Sequence, residues 1–117
     1  NYYIKYRLAR MGFLCYSVGK GGKTVVHYII VKFRDPQDRF ALKDGIEALF
    51  ATALEIEGVE KVEVRPSCSE RENRYHLMIA MTMTEAGLEN YDVSDMHRRW
   101  KREYEDRIAL KTIFDHE

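Results

Sequence analysis

Two segments of this chain are apolar on both alternating rows of a strand. "TVVHYIIVKF" (24–33) sets Val25, His27, Ile29, Val31 and Phe33 on one row and Val26, Tyr28, Ile30 and Lys32 on the other. "YHLMIAMTM" (75–83) sets Tyr75, Leu77, Ile79, Met81 and Met83 against His76, Met78, Ala80 and Thr82. Side chains of a strand alternate between faces, and β-branched and aromatic residues suit a pleated, packed surface. Strands of this kind belong in the interior of a sheet with both faces covered. A chain of 117 residues holds one domain with one core, so it has little material to cover two faces.

The segments between these strands supply the rest of the order. "RDPQD" predicts a helix start, with Asp35 as N-cap and Pro36 at the first helical position, where its missing N–H costs nothing. Phe40, Ile46, Leu49, Phe50, Ala53 and Leu54 then fall along one helical stripe through residue 55, and Gly58 stops it. "VEKVEVR" (59–65) predicts a second strand, whose Glu60, Lys61, Glu63 and Arg65 point to a solvated face or an edge. "PSCSEREN" (66–73) is a polar loop. After the third strand, Thr84 caps a short helix running toward Tyr91, and Ser94 caps another, in which Met96, Trp100 and Tyr104 repeat at four-residue spacing. "IALKTIFDH" (108–116) is the last strand.

The order is β-α-β-β-α-β with the second helical region split, an α+β, ferredoxin-like arrangement of a four-stranded antiparallel sheet with helices on one face. The other face keeps an apolar row on at least three strands. At ~25 cal/mol per Å² of apolar area, leaving that face wet costs several kcal/mol. The same face of a second copy is the simplest cover, so a homodimer closing into an α/β barrel is expected.

Composition narrows the function. Apolar residues are 45%, charged residues 32% and the net charge zero, which argues against a chain built to hold phosphate backbones; no nucleic-acid partner is expected. "RRWKRE" (98–103) alternates cations around Trp100, but Glu103, Glu105 and Asp106 follow at once and cancel the field. No stretch has the length of a membrane span. Cys15 and Cys68 show no metal or redox spacing and read as unpaired thiols of a reducing, cytoplasmic compartment. The four histidines also lack metal-ligand spacing, so neither a metal nor another cofactor is expected. Residues 1–23 carry five of the cations and no acid. They imitate a secretory leader, but their apolar part, Met11 to Val18, is short and interrupted. They are either an extension ending in the linker "GKGG" or an extra element packed on a domain spanning 24–117.

Five stretches together resemble one known family. "VVHYIIVKF", "IEGVEKVEV", "YHLMIAMTM", "LENYDVSDMH" and "IALKTIFDHE" follow, in order and spacing, the stress-responsive dimeric α+β barrel (Dabb) domain, across 24–117 and with nothing matching in 1–23. The resemblance implies a dimer with a pocket between each sheet and its helices. Many members have no established activity. The best understood are plant polyketide cyclases, the olivetolic acid-forming enzyme among them, in which a tyrosine and a histidine act on a linear poly-β-keto chain. Tyr91 and His97 match that pair with its six-residue separation, and His27 matches a strand histidine near the same pocket. The family commonly has His-Pro before the final histidine, where this chain has Ser94-Asp95.

Histidine titrates near neutrality, so His97 can take a proton from a carbon between two carbonyls, and Tyr91 can donate a hydrogen bond to the enolate that forms. The expected site is therefore His97 and Tyr91 as catalytic residues, with His27, Ile29, Tyr75 and Met81 binding a small apolar or keto ligand. Residue type alone also allows an exposed His97 and an ordinary helix-end Tyr91, and a His27 buried in an apolar strand must find a hydrogen-bond partner in either case. Three functions follow from different weightings: a ligand-binding dimer without a reaction, a cofactor-free acid–base enzyme of the cyclase or isomerase type, or a monooxygenase of the antibiotic-biosynthesis barrel type.

Overall fold

β1 forms where its composition places it, over Thr24–Phe33 of a computed structural model that describes residues 23–117. The expected N-terminal extension, Cys15 included, lies outside the described residues but for Lys23. His27, Ile29, Val31 and Phe33 are buried, whereas Val26, Tyr28, Ile30 and Lys32 are half-buried. The two apolar rows thus have different fates. One faces the helices, and the other is only partly covered by its own neighbours.

The helix expected from Pro36 onward starts two residues later. Asp35 makes a turn instead: its carboxylate accepts the Gln37 N–H at 3.0 Å and its carbonyl accepts the Asp38 N–H at 3.0 Å. Helix α1 spans Asp38–Ala41, α2 spans Lys43–Ala51, and a 3-10 turn covers Thr52–Glu55. The interruption at Leu42 shifts the phase of the stripe. Ile46, Leu49, Phe50, Ala53 and Leu54 are buried, but Phe40 is 56% exposed. Asp38 and Arg39 turn inward because each finds a partner there: Arg107 donates to the Asp38 carboxylate at 3.0 Å, and Arg39 donates to the Ser69 carbonyl and the Glu70 carboxylate, each at 2.6 Å.

β2 occupies Val59–Pro66 and β3 Leu77–Thr84. β3 begins two residues beyond its expected start because His76 is used otherwise. Its backbone N–H bonds the Val31 carbonyl at 2.8 Å, and its ring Nδ1 accepts the Phe33 N–H at 2.9 Å. Helices α3 (Glu85–Asp92) and α4 (Asp95–Tyr104), a 3-10 turn (Glu105–Arg107) and β4 (Ile108–His116) complete the chain. The Thr84 and Ser94 side chains cap α3 and α4 as expected, accepting the Gly87 and His97 N–H groups. α3 is seated by a close approach: a Cβ on Gly87 would lie 2.5 Å from the Gly58 carbonyl oxygen, and Gly58 itself has φ +96°.

The strands pair antiparallel in the order β2-β3-β1-β4, an α+β ferredoxin-like sheet. The core fills the helix side, where Phe50, Trp100, Met96 and Tyr91 meet Ile29, Val31, Ile79 and Met81. The register collects the opposite rows on one bare face: Lys61, Glu63 and Arg65 at one margin, then Met78 and Ala80, then Val26, Tyr28 and Ile30, then Leu110 and Phe114. Leu110 and Phe114 are more than half exposed.

Candidate active site

Tyr91 closes α3 and His97 lies in the first turn of α4, and one hydroxyl ties the two backbones. Ser94 Oγ donates to the Tyr91 carbonyl at 2.7 Å and accepts the His97 N–H at 3.2 Å. The Ser94-Asp95 sequence therefore supplies a helix cap that also sets the tyrosine against the histidine. The two rings stand 4.7 Å apart between centroids, tilted by 56°. From beneath, His27 of β1 brings its ring to 5.7 Å from that of Tyr91. The structure thus gathers Tyr91, His97 and His27 where the α3–α4 junction crosses the sheet.

Tyr91 is 1% exposed, and its hydroxyl is buried with no hydrogen-bond partner among the described residues. Burial pushes the phenol pKa well above its ordinary range, and the Asp92 carboxylate pushes it further. Tyr91 is thus a protonated donor across the physiological range. A buried polar group without a partner costs about 1–3 kcal/mol, and no described residue supplies an acceptor for this hydroxyl.

His97 is half-buried, and its Nδ1 lies 3.1 Å from the Asp92 carbonyl oxygen. A carbonyl only accepts, so Nδ1 carries the proton and, in the neutral ring, the lone pair sits on Nε2. Burial lowers the His97 pKa; the bond to the Asp92 carbonyl opposes this, and Lys101 and Lys111 add to the lowering. The ring is therefore neutral at pH 7, with a free base nitrogen. His27 finds a hydrogen-bond partner, an exposed one: Nδ1 lies 2.5 Å from Oδ1 of Asp115 on β4, whose side chain is 45% exposed. That contact ties the His27 ring to β4.

The other expected ligand residues separate. Ile29 and Met81 share the helix-side row with His27, and Met81 is its cross-strand partner, but both are packed into the core. Tyr75 precedes β3, and its hydroxyl bonds Thr112 Oγ1 at 2.7 Å. Thr112 pairs with Ile30 on the bare face, so this contact lies on the opposite side of the sheet from Tyr91. Asp115, Ser94 and the Asp92 carbonyl are the contributors that sequence reasoning missed. The β1–β4 register that sets Asp115 across from His27 has no local sequence signal, whereas Ser94 was legible as a cap but not as a bridge. Among the described residues, no group of three or more His, Cys, Asp or Glu side chains is placed to hold a metal ion.

No protein-family model matches this chain, and no curated protein matches it significantly. Solved structures do. A dimeric protein of unknown function with a ferredoxin-like fold from Bacteroides fragilis superposes with a TM-score of 0.68 at 16% identity, over 83% of this chain and 99% of that one. A Dabb family protein with a ferredoxin-like fold from Mesorhizobium loti gives 0.61 at 19% identity, over 83% and 97%. A putative antibiotic biosynthesis monooxygenase from Bacteroides thetaiotaomicron gives 0.63 at 14% identity, over 81% and 89%. At these identities the likeness establishes the ferredoxin-like fold.

Proposed function

We propose that this chain is a homodimeric barrel protein of the Dabb type that binds a small apolar keto compound beside Tyr91 and catalyses cofactor-free proton transfer on it. The observation that carries the reading is the buried Tyr91 hydroxyl beside a neutral His97, the hydroxyl and His97 Nε2 both without a partner among the described residues. His97 Nε2 takes a proton from a carbon flanked by two carbonyls. The electron pair moves onto a carbonyl oxygen, which accepts the Tyr91 hydrogen bond as its charge develops. The resulting enolate either regains the proton at another carbon or attacks a second carbonyl of the same chain. In the latter case a carbon–carbon bond forms, and the new alkoxide recovers the proton from His97. Both outcomes are isomerisations, so neither needs a redox partner.

The dimer rests on the bare sheet face and on the neighbours described as dimeric. The resemblance of Tyr91, His97 and His27 to the plant polyketide cyclase pattern favours the cyclising outcome. The Cys68 thiol, exposed and free among the described residues, is in keeping with a reducing, cytoplasmic setting. A linear 1,3,5,7-tetraketone tests the chemistry, since a carbon flanked by two of its carbonyls can close a six-membered ring on the far one, with NMR following both ring closure and exchange of the methylene protons for deuterium above the buffer rate. His97→Ala and Tyr91→Phe should each lower the protein-dependent rate by about 10²-fold or more. Rates equal to wild type in both variants contradict the acid–base assignment. Saturable binding of the tetraketone without rate enhancement leaves the chain as a ligand-binding dimer.

A further inference from the structure

A second recess lies six residues further along β1 from His27, at the end of the strand. It is a cavity of about 300 Å³ lined by Lys32, Phe33, Arg34, Arg39, His76 and the 69–72 loop. That volume is at the lower bound of small-molecule sites. Four cationic side chains and two carboxylates line it, since Arg71, Glu70 and Glu72 come from the loop. Lys32 and Arg34 spend their donors on backbone carbonyls, those of Glu72 and Asp106. Neither of them, nor Arg71, makes an ion pair with a carboxylate among the described residues. The recess is thus positive, in a chain whose net charge is zero.

Its centre is Arg39. The side chain is 2% exposed, one face of its guanidinium lies 4.7 Å from the Phe40 ring centroid, and its Nε is buried without a partner among the described residues. Its only carboxylate partner among the described residues, Glu70, is 83% exposed on the polar loop. A buried guanidinium needs a counter-charge, and a solvated carboxylate on a loop holds that place weakly. The arrangement is that of an anion site occupied by the protein's own side chain.

We propose that this recess binds a small organic anion, carboxylate or phosphate, whose oxyanion takes the place of Glu70 on Arg39 under Lys32 and Arg71. The planar fork of arginine matches either group. The site shares no residue with the Tyr91–His97 pair, so the two proposals stand or fall separately.

Titrating the full chain at low salt with inorganic phosphate and, separately, with succinate tests it, with binding read from the His76 and arginine side-chain NMR signals. At least one probe should saturate and move the His76 signals while those of His97 stay in place. Glu70→Gln, which removes the internal competitor, should tighten binding roughly threefold. Arg71→Gln should weaken it by a similar factor, and Arg39→Lys by about tenfold through loss of the fork. The first two changes are at exposed positions and leave the fold intact whatever Arg39→Lys does. Absence of saturable binding of both probes, or an affinity indifferent to Glu70→Gln and Arg71→Gln, overturns the proposal. The tighter of the two probes identifies the anion class.

Discussion

Tyr91 carries the sharpest conflict between stability and use. A buried hydroxyl without a partner is a cost to the folded chain, and phenylalanine of the same shape removes it. Tyr91→Phe is therefore expected to raise stability by about 1 kcal/mol in urea unfolding while lowering turnover. A stability loss of that size would show instead that the hydroxyl has a partner in solution. His97 adds a pH signature. Its pKa in the folded chain lies below the ordinary 6.5, chiefly through burial. The protein-dependent rate should accordingly rise with pH along a limb whose midpoint is below 6.5, and the NMR titration of the His97 ring should share that midpoint. The same depression works on stability, and His76, also lowered by burial, acts in the same direction. Above 6.5 both rings are neutral in either state and their contribution is fully present. As the pH falls below 6.5 the unfolded chain takes up protons first, and stability declines until the folded-state values are passed. At this scale the sequence was informative about residue type and silent about surroundings. Tyr91 and His97 were legible as a spaced pair, but the missing partner of the one and the tautomer of the other depend on atoms of Asp92 and on burial that no pattern encodes.

The junction between α3 and α4 is where element geometry becomes site geometry. Ser94 performs three tasks with one residue: it caps α4, its hydroxyl bonds back to Tyr91, and its backbone N–H also reaches the Tyr91 carbonyl at 3.0 Å. Ser94→Ala should cost about 1 kcal/mol of stability. It should lower the turnover number more than it changes the Michaelis constant, because it loosens the two groups relative to each other and not the ligand surface. Proportionate loss in stability alone, with unchanged kinetics, would reduce Ser94 to an ordinary cap. The caps at Thr84 and Ser94, the stripe of α4 and the extent of β4 were all visible in the sequence because each rests on local chemistry. The break at Leu42 and the inward turn of Asp38 and Arg39 were not. They depend on Arg107, Ser69 and Glu70, which lie 30 to 69 residues away. Tyr75 is the same lesson for the ligand set: it was placed by strand alternation, but it precedes β3 and bonds across the bare face to Thr112.

The described molecule is organised by a sheet whose helix side is covered over β1, β2 and β3 but exposed along β4, and whose other side has no helix over it. The sequence showed two strands apolar on both rows, and 95 described residues supply helices for only one of them. Val26, Tyr28, Ile30, Met78, Leu110 and Phe114 remain as an apolar surface around the buried Ala80, flanked at the β2 margin by Lys61, Glu63 and Arg65. Monomeric proteins rarely expose such a patch, and a self-complementary face closed by a two-fold axis removes it from water at both copies at once. A charge in its middle should break the assembly: Ile30 sits there, on the row away from the active site, so Ile30→Glu offers a monomeric control. The account's central claim is that this face meets its like, and the mass of the wild-type chain in solution tests it most directly. Light scattering coupled to size exclusion at micromolar concentration should give twice the 13.8 kDa of the chain, and Ile30→Glu should give 13.8 kDa. A wild-type mass of 13.8 kDa, with the bare face left in water, would contradict it.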